Sequence, residues 1–115
     1  MSEKKAGRTW AVHDEVPVKK MPTWEARRIM AYGEEMMLVE NMFLPGDTAP
    51  EHSHPHAQIT YLLEGALEFT LDSETRVLHA GDSVFMEPNV THKAVAVEKS
   101  LLIDMFAPMR EDFLD

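Results

Sequence analysis

Apolar and polar residues alternate along much of this chain with a period of two. Leu67, Phe69 and Leu71 interleave with Glu68, Thr70 and Asp72, the pattern of a strand with one buried face. Short segments of similar character surround it: Trp24 to Ala31, Glu35 to Leu44, Ile59 to Leu63, Arg76 to His79, Val84 to Glu87, His92 to Val97 and Leu101 to Phe106. Gly33 separates the first two, and turns are expected at Pro45-Gly46-Asp47, Glu64-Gly65 and Asp72-Ser73-Glu74. Trp24 to Met30 would also suit a short helix, but Gly33 and the strand pattern after it favour a strand. Many short strands joined by such turns predict an all-β sandwich or barrel. Residues 1–18 are polar with little periodicity and read as an N-terminal arm, leaving 19–115 as one domain.

Composition narrows this picture. With 115 residues, 44% of them hydrophobic, the chain can build one core and no second domain. The first twenty residues are charged throughout and no apolar run reaches transmembrane length, so the expectation is a cytoplasmic protein without a membrane partner. A formal net charge of −9 argues against nucleic acid as a partner. If the ligand is instead an anion, a metal ion or buried arginines must reverse the sign locally.

The chemistry concentrates in His52-Ser53-His54-Pro55-His56-Ala57-Gln58, with His92 downstream. Two imidazoles one residue apart face the same side of an extended strand, and Gln58 shares their parity, although Pro55 interrupts regular pairing. The chain has no cysteine, so any metal must rest on nitrogen and oxygen, and imidazole suits zinc, nickel, copper and iron alike. His56 is an alternative ligand, though its place between Pro55 and Ala57 suits a bend. His13 and His79 have no sequence partners and read as solvated. Asp104 interrupts the apolar run from Leu101 to Phe106, on one face with Leu102 and Phe106. A carboxylate there is costly unless paired or functional, and desolvation would raise its pKa towards the range of a general acid or base. An edge aspartate, or a partner for a backbone amide, is the competing reading.

Gly46, His52, His54, Gln58 and Gly65 occupy the slots of cupin motif 1, and Gly81, Pro88 and His92 those of motif 2. Over residues 35 to 106 the chain therefore resembles the cupins, which implies a single-domain jelly-roll β-barrel (a double-stranded β-helix). Gln58 stands where the family usually has glutamate, and Ala96 where it often has asparagine. The ending Asp104-Met105-Phe106-Ala107-Pro108-Met109-Arg110-Glu111-Asp112-Phe113 is more specific and resembles the KdgF-type pectin-degradation cupins. That resemblance implies one divalent transition metal ion (nickel, zinc, manganese or iron) on His52, His54, Gln58 and His92. It makes Asp104 and Arg110 active-site residues, with Phe106 lining the pocket. It also implies a homodimer that converts a small anionic sugar, a cyclic 4,5-unsaturated uronate released by pectin or alginate lyases, into linear 4-deoxy-5-keto-uronate.

Three imidazoles and an amide are neutral, so a bound dication would keep its full charge, which favours Lewis-acid work on an oxygen of an anionic substrate. Other readings stay open: a different metal-dependent cupin enzyme (an oxygenase or sugar isomerase), or a non-catalytic cupin that binds a small molecule. Arg110 also reads as a surface arginine paired with Glu111 or Asp112. Arg27, Arg28 and Lys93 are less specific cations.

Overall fold

The period-two pattern produces nine antiparallel strands in the computed structural model, which describes residues 7–114. In chain order they are β1 (Ala26–Tyr32), β2 (Met37–Phe43), β3 (Thr48–His52), β4 (Ala57–Glu64), β5 (Ala66–Leu71), β6 (Glu74–His79), β7 (Ser83–Met86), β8 (His92–Ala96) and β9 (Ser100–Ala107). They form a five-stranded sheet, β1-β2-β9-β4-β7, and a four-stranded sheet, β3-β8-β5-β6. This is the all-β jelly roll expected from the sequence. Consecutive strands β3 and β4 lie in different sheets, so the loop between His52 and Ala57 crosses from one to the other. No helix among the described residues is long and apolar enough to cross a membrane.

Alternation fixes what faces inward. On β2 the buried residues are Met37, Val39, Asn41 and Phe43; on β9 they are Ser100, Leu102, Asp104 and Phe106. On β4 they are Gln58, Thr60 and Leu62. Cross-strand register then sets Thr60 beside Asp104, Gln58 beside Phe106 and Leu62 beside Leu102. One apolar cluster, including Phe43, Leu62 and Leu102, packs against Leu67, Phe69 and Ala94 of the other sheet. A second cluster holds Met37, Val39, Phe106 and Met109. Each fully buried side chain such as Leu62 or Met86 contributes roughly 1.5–3 kcal/mol. Asn41, Gln58, Thr60 and Asp104 form a polar band between the two clusters.

Several expectations shift in detail. Trp24 is not in a strand; it precedes β1 and stacks flat on Phe43, ring centroids 5.5 Å apart. The turn after β5 is only Asp72-Ser73, since Leu71 pairs with Glu74, and Asp72 takes the positive φ that such a tight hairpin needs. Gly65 is required for two reasons: its φ is +97°, and a Cβ there would collide with the Lys99 carbonyl and Ser100. Of the sequence-read arm, residues 7–18 are described, and they lie against the body of the fold. Arg8 bridges to Tyr32, the adjoining Lys19 bridges to Arg27, and Val16 is buried. His13 is not simply solvated, because its ring nitrogens contact Asp14 and Glu40, both at 2.9 Å.

Candidate metal centre and the cavity beside it

His52, His54 and His92 converge between the sheets, each with a ring nitrogen within 4.8 Å of the other two. Strand parity is not what joins the first two. β3 ends at His52, and His54 lies in the crossing loop, which carries it inward to a buried position. His92 begins β8 and pairs directly with His52 across the four-stranded sheet.

The backbone sets how each imidazole is presented. Nδ1 of His52 meets the Pro50 carbonyl at 2.6 Å, Nδ1 of His54 the His56 carbonyl at 3.1 Å, and Nδ1 of His92 the Val90 carbonyl at 3.0 Å. A carbonyl can only accept, so the Nδ1 atoms of His52 and His92 carry the proton and their Nε2 atoms offer lone pairs, the arrangement typical of histidine ligands, and the Nδ1 tautomer of His54 would match them. Burial, opposed by the Val90 carbonyl, lowers the His92 pKa to about 4. Burial first, then the nearby Arg110 charge, lowers that of His54. Both rings are therefore neutral near pH 7.

Gln58, on β4, turns its amide oxygen towards this cluster. Its Nε2 donates to Asp104 Oδ1 at 3.0 Å and to Thr60 Oγ1 at 3.1 Å. That leaves Oε1 pointing at His54 Nε2, 2.9 Å away. With the proton on His54 Nε2 this is a hydrogen bond; with the proton on Nδ1, both lone pairs turn to one point that a cation would occupy. His92 Nε2 is buried and has no hydrogen-bond partner among the described residues, a cost that metal ligation would remove. The residues thus fit a divalent ion held by three imidazoles and an amide oxygen.

Asp104 is buried at the centre of the polar band. Besides Gln58 it accepts from Thr60 Oγ1, and its Oδ2 accepts from Asn41 Nδ2 at 2.7 Å; Asn41 in turn accepts from Trp24 Nε1 at 2.9 Å. Burial raises the Asp104 pKa, while the bonds from Thr60, Gln58 and Asn41 pull the other way. Oδ2, with one donor, keeps room for a proton.

A cavity of about 430 Å³ opens over this network, lined by His52, Gln58, His92, Asp104, Phe106 and Arg110 among others. Arg110 follows β9 and lies over the Phe106 and Phe113 rings at 5.1 and 4.2 Å. It forms a two-point contact with Asp112, 3.0 Å at Nε and 2.8 Å at Nη2, leaving its outer edge free. The surface pairing and the cavity position expected as alternatives therefore coexist. The cavity wall carries Arg27, Lys93 and Arg110 against Glu51 and Asp104, so its charge balance is positive within a chain of net −9. His56 stays outside the cluster, with Nδ1 buried and unpartnered, and burial lowers its pKa.

Residues 40–104 match the Cupin domain family. The chain belongs to the cupins. Among its relatives is "Pectin degradation protein KdgF" of Dickeya dadantii (strain 3937), 34% identical over 109 residues that span 93% of this chain and 99% of that protein. An RmlC-like cupin from Shewanella frigidimarina NCIMB 400 superposes with a TM-score of 0.90 at 32% identity, covering 95% of this chain and 98% of that one. KdgF from Halomonas sp. superposes at 0.86 with 34% identity, covering 90% and 96%.

In this cupin, the sequence reading missed Trp24, Asn41 and Thr60, which organise the carboxylate. Asn41 left one signal: it occupies an inward slot of β2 between Val39 and Phe43, where a polar residue needs a partner.

Proposed function

We propose that this cupin is a metal-dependent enzyme of pectin or alginate breakdown that linearises cyclic 4,5-unsaturated uronates. The observation that carries the reading is the meeting, in one cavity, of a neutral N/O donor set, a buried carboxylate and an arginine. The KdgF relatives support the substrate class. His52, His54, His92 and Gln58 would hold one divalent transition ion. When bound, such an ion supplies Lewis acidity towards a substrate oxygen, undiminished by its neutral ligands.

The chain's own groups do the rest. Arg110, oriented by Asp112, offers its outer edge to the substrate carboxylate. Phe106 supplies an apolar wall that limits water. Opening of the hemiacetal breaks the C1–O5 bond and moves the C1 hydroxyl proton to O5, so that C1 becomes an aldehyde and an enol remains at C5. A proton must then leave the enol oxygen while one reaches C4, giving the 5-ketone. Asp104 Oδ2 is the site for that proton, because burial keeps its affinity for protons high and its second lone pair is unused.

The same reading includes a homodimer, supported by the outer edges of β6 and β7, which leave Val77 and Phe85 exposed; light scattering tests it. The activity is tested by mixing metal-loaded protein with lyase-generated unsaturated monouronates and following loss of the enol-ether absorbance. Rapid metal-dependent loss is expected. Stoichiometric sugar binding without turnover would instead make this a binding cupin.

A further inference from the structure

We infer that Arg27 is a second anion-binding residue of this cavity, which with Arg110 brackets the carboxylate of an acidic sugar. The inference rests on the uronate reading above but concerns recognition rather than ring opening.

Arg27 lies on β1 opposite Asn41 of β2, and only 6% of it is exposed. Its main chain is fixed in both directions to Lys19, N–H to carbonyl at 2.8 and 2.9 Å. It lines the cavity over the polar band together with Asn41, Asp104 and Arg110. The guanidinium carbon lies 4.0 Å from the centroid of Phe113, the same ring that Arg110 covers at 4.2 Å. Two cations thus share one aromatic platform at the cavity wall.

What sets Arg27 apart is its lack of an ion-pair partner at contact distance, since the Asp112 carboxylate that acts on it is already paired with Arg110. Its Nε, like that of Arg28, is buried without a hydrogen-bond partner among the described residues. Among the described residues no carboxylate forms an ion pair with it, whereas neighbouring Arg28 pairs with Glu40 at 3.3 Å and Arg110 with Asp112. The chain has 20 acidic residues against 11 basic ones, so a missing counter-charge is not a shortage of carboxylates. A guanidinium cannot shed its proton to escape burial, and a second guanidinium nearby raises the cost. The Phe113 face and, from beyond ion-pair distance, the Asp112 carboxylate answer part of that charge. An incoming carboxylate answers the rest, and prefers two planar donors to one. The ligand class follows: a sugar acid, in preference to its neutral counterpart.

The test uses metal-loaded protein and a saturated probe that cannot be turned over, D-galacturonate, with D-galactose as the neutral control. Calorimetric titration at low salt should show the acid binding to the wild type and the neutral sugar binding at least tenfold more weakly. Arg27→Met should weaken galacturonate by about tenfold or more, the loss of one charge-assisted contact, while leaving galactose binding and metal content unchanged. Arg27→Lys, which keeps the charge without the fork, should fall between. With the unsaturated substrate, Arg27→Met should raise KM more than it lowers kcat. Wild-type galacturonate affinity in Arg27→Met, equal losses for acid and neutral sugar, or no acid preference in the wild type would each overturn the inference. Arg27-dependent acid binding without ring opening would leave it standing while removing the proposed activity.

Discussion

Gln58 donates its amide hydrogen to Asp104 at 3.0 Å and, in the same orientation, turns its carbonyl oxygen towards His54 at 2.9 Å. An ionised carboxylate only accepts, so Asp104 decides which end of the amide faces the histidines. The glutamine is therefore more than a neutral substitute for the glutamate usual in this slot. With Asp104 as its neighbour, a glutamate would set two carboxylates against each other, and one would have to take up a proton.

Gln58→Glu should consequently retain metal but turn over more slowly, by about tenfold or more, because the ion's effective charge falls and Asp104 titrates as part of a pair. Metal analysis alongside turnover checks this. An unchanged rate would place Gln58 outside the reacting centre.

Asp104→Asn keeps the shape but removes the oxygen proposed to carry the proton, so turnover should drop about a hundredfold or more with metal content intact. The folded state should also lose about 1–3 kcal/mol, since an amide cannot accept from both Gln58 and Asn41. Denaturant melts measure the second effect separately from the first. Loss of metal in this variant would make Asp104 a positioning residue for Gln58 instead.

Elemental analysis of the purified protein should find about one divalent ion per chain, and His54→Ala or a His52/His92 double alanine variant should empty the site. Chelation should lower the wild-type Tm, because only the folded state gathers these ligands. Full occupancy in the double variant would contradict the assignment.

Arg110→Lys should already impair turnover on the unsaturated acid, since an ammonium reproduces neither the fork with Asp112 nor an outer edge for a carboxylate. Arg110→Ala should cost more. In Arg110→Lys, stability should change by about 1 kcal/mol at most, because Asp112 is largely exposed and such pairs contribute little, whereas Arg110→Ala also loses the packing on Phe106 and Phe113. Wild-type kinetics in both variants would confine the arginine to its pairing with Asp112.

The strands and most of the side chains that meet at the site were legible because each depends on local pattern: alternation on β5 and β9, the closeness in sequence of His52, His54 and Gln58, and an aspartate inside an apolar run. The bends that refine them were not. His54 reaches the site through a crossing loop rather than by strand parity, and Trp24 serves as a stacked plug rather than a strand residue. Thr60 and Arg27 look ordinary in sequence, since a threonine and an arginine on a strand are more often solvated. Only cross-strand register, Thr60 beside Asp104 and Arg27 beside Asn41, gives them roles.

The polar band between the two apolar clusters has a thermodynamic consequence. Asn41, Gln58, Thr60 and Asp104 occupy inward positions that β2, β4 and β9 elsewhere fill with Val39, Leu62 and Leu102. A fully satisfied buried network is often no more stabilising than apolar side chains of equal size, and sometimes less so by about 1–4 kcal/mol. Replacing all four together by leucine and valine should therefore join the clusters into one core and raise the melting temperature, whereas removing any one alone should lower it. Such a protein would be more robust and chemically inert: activity and maximum stability compete for the same few positions.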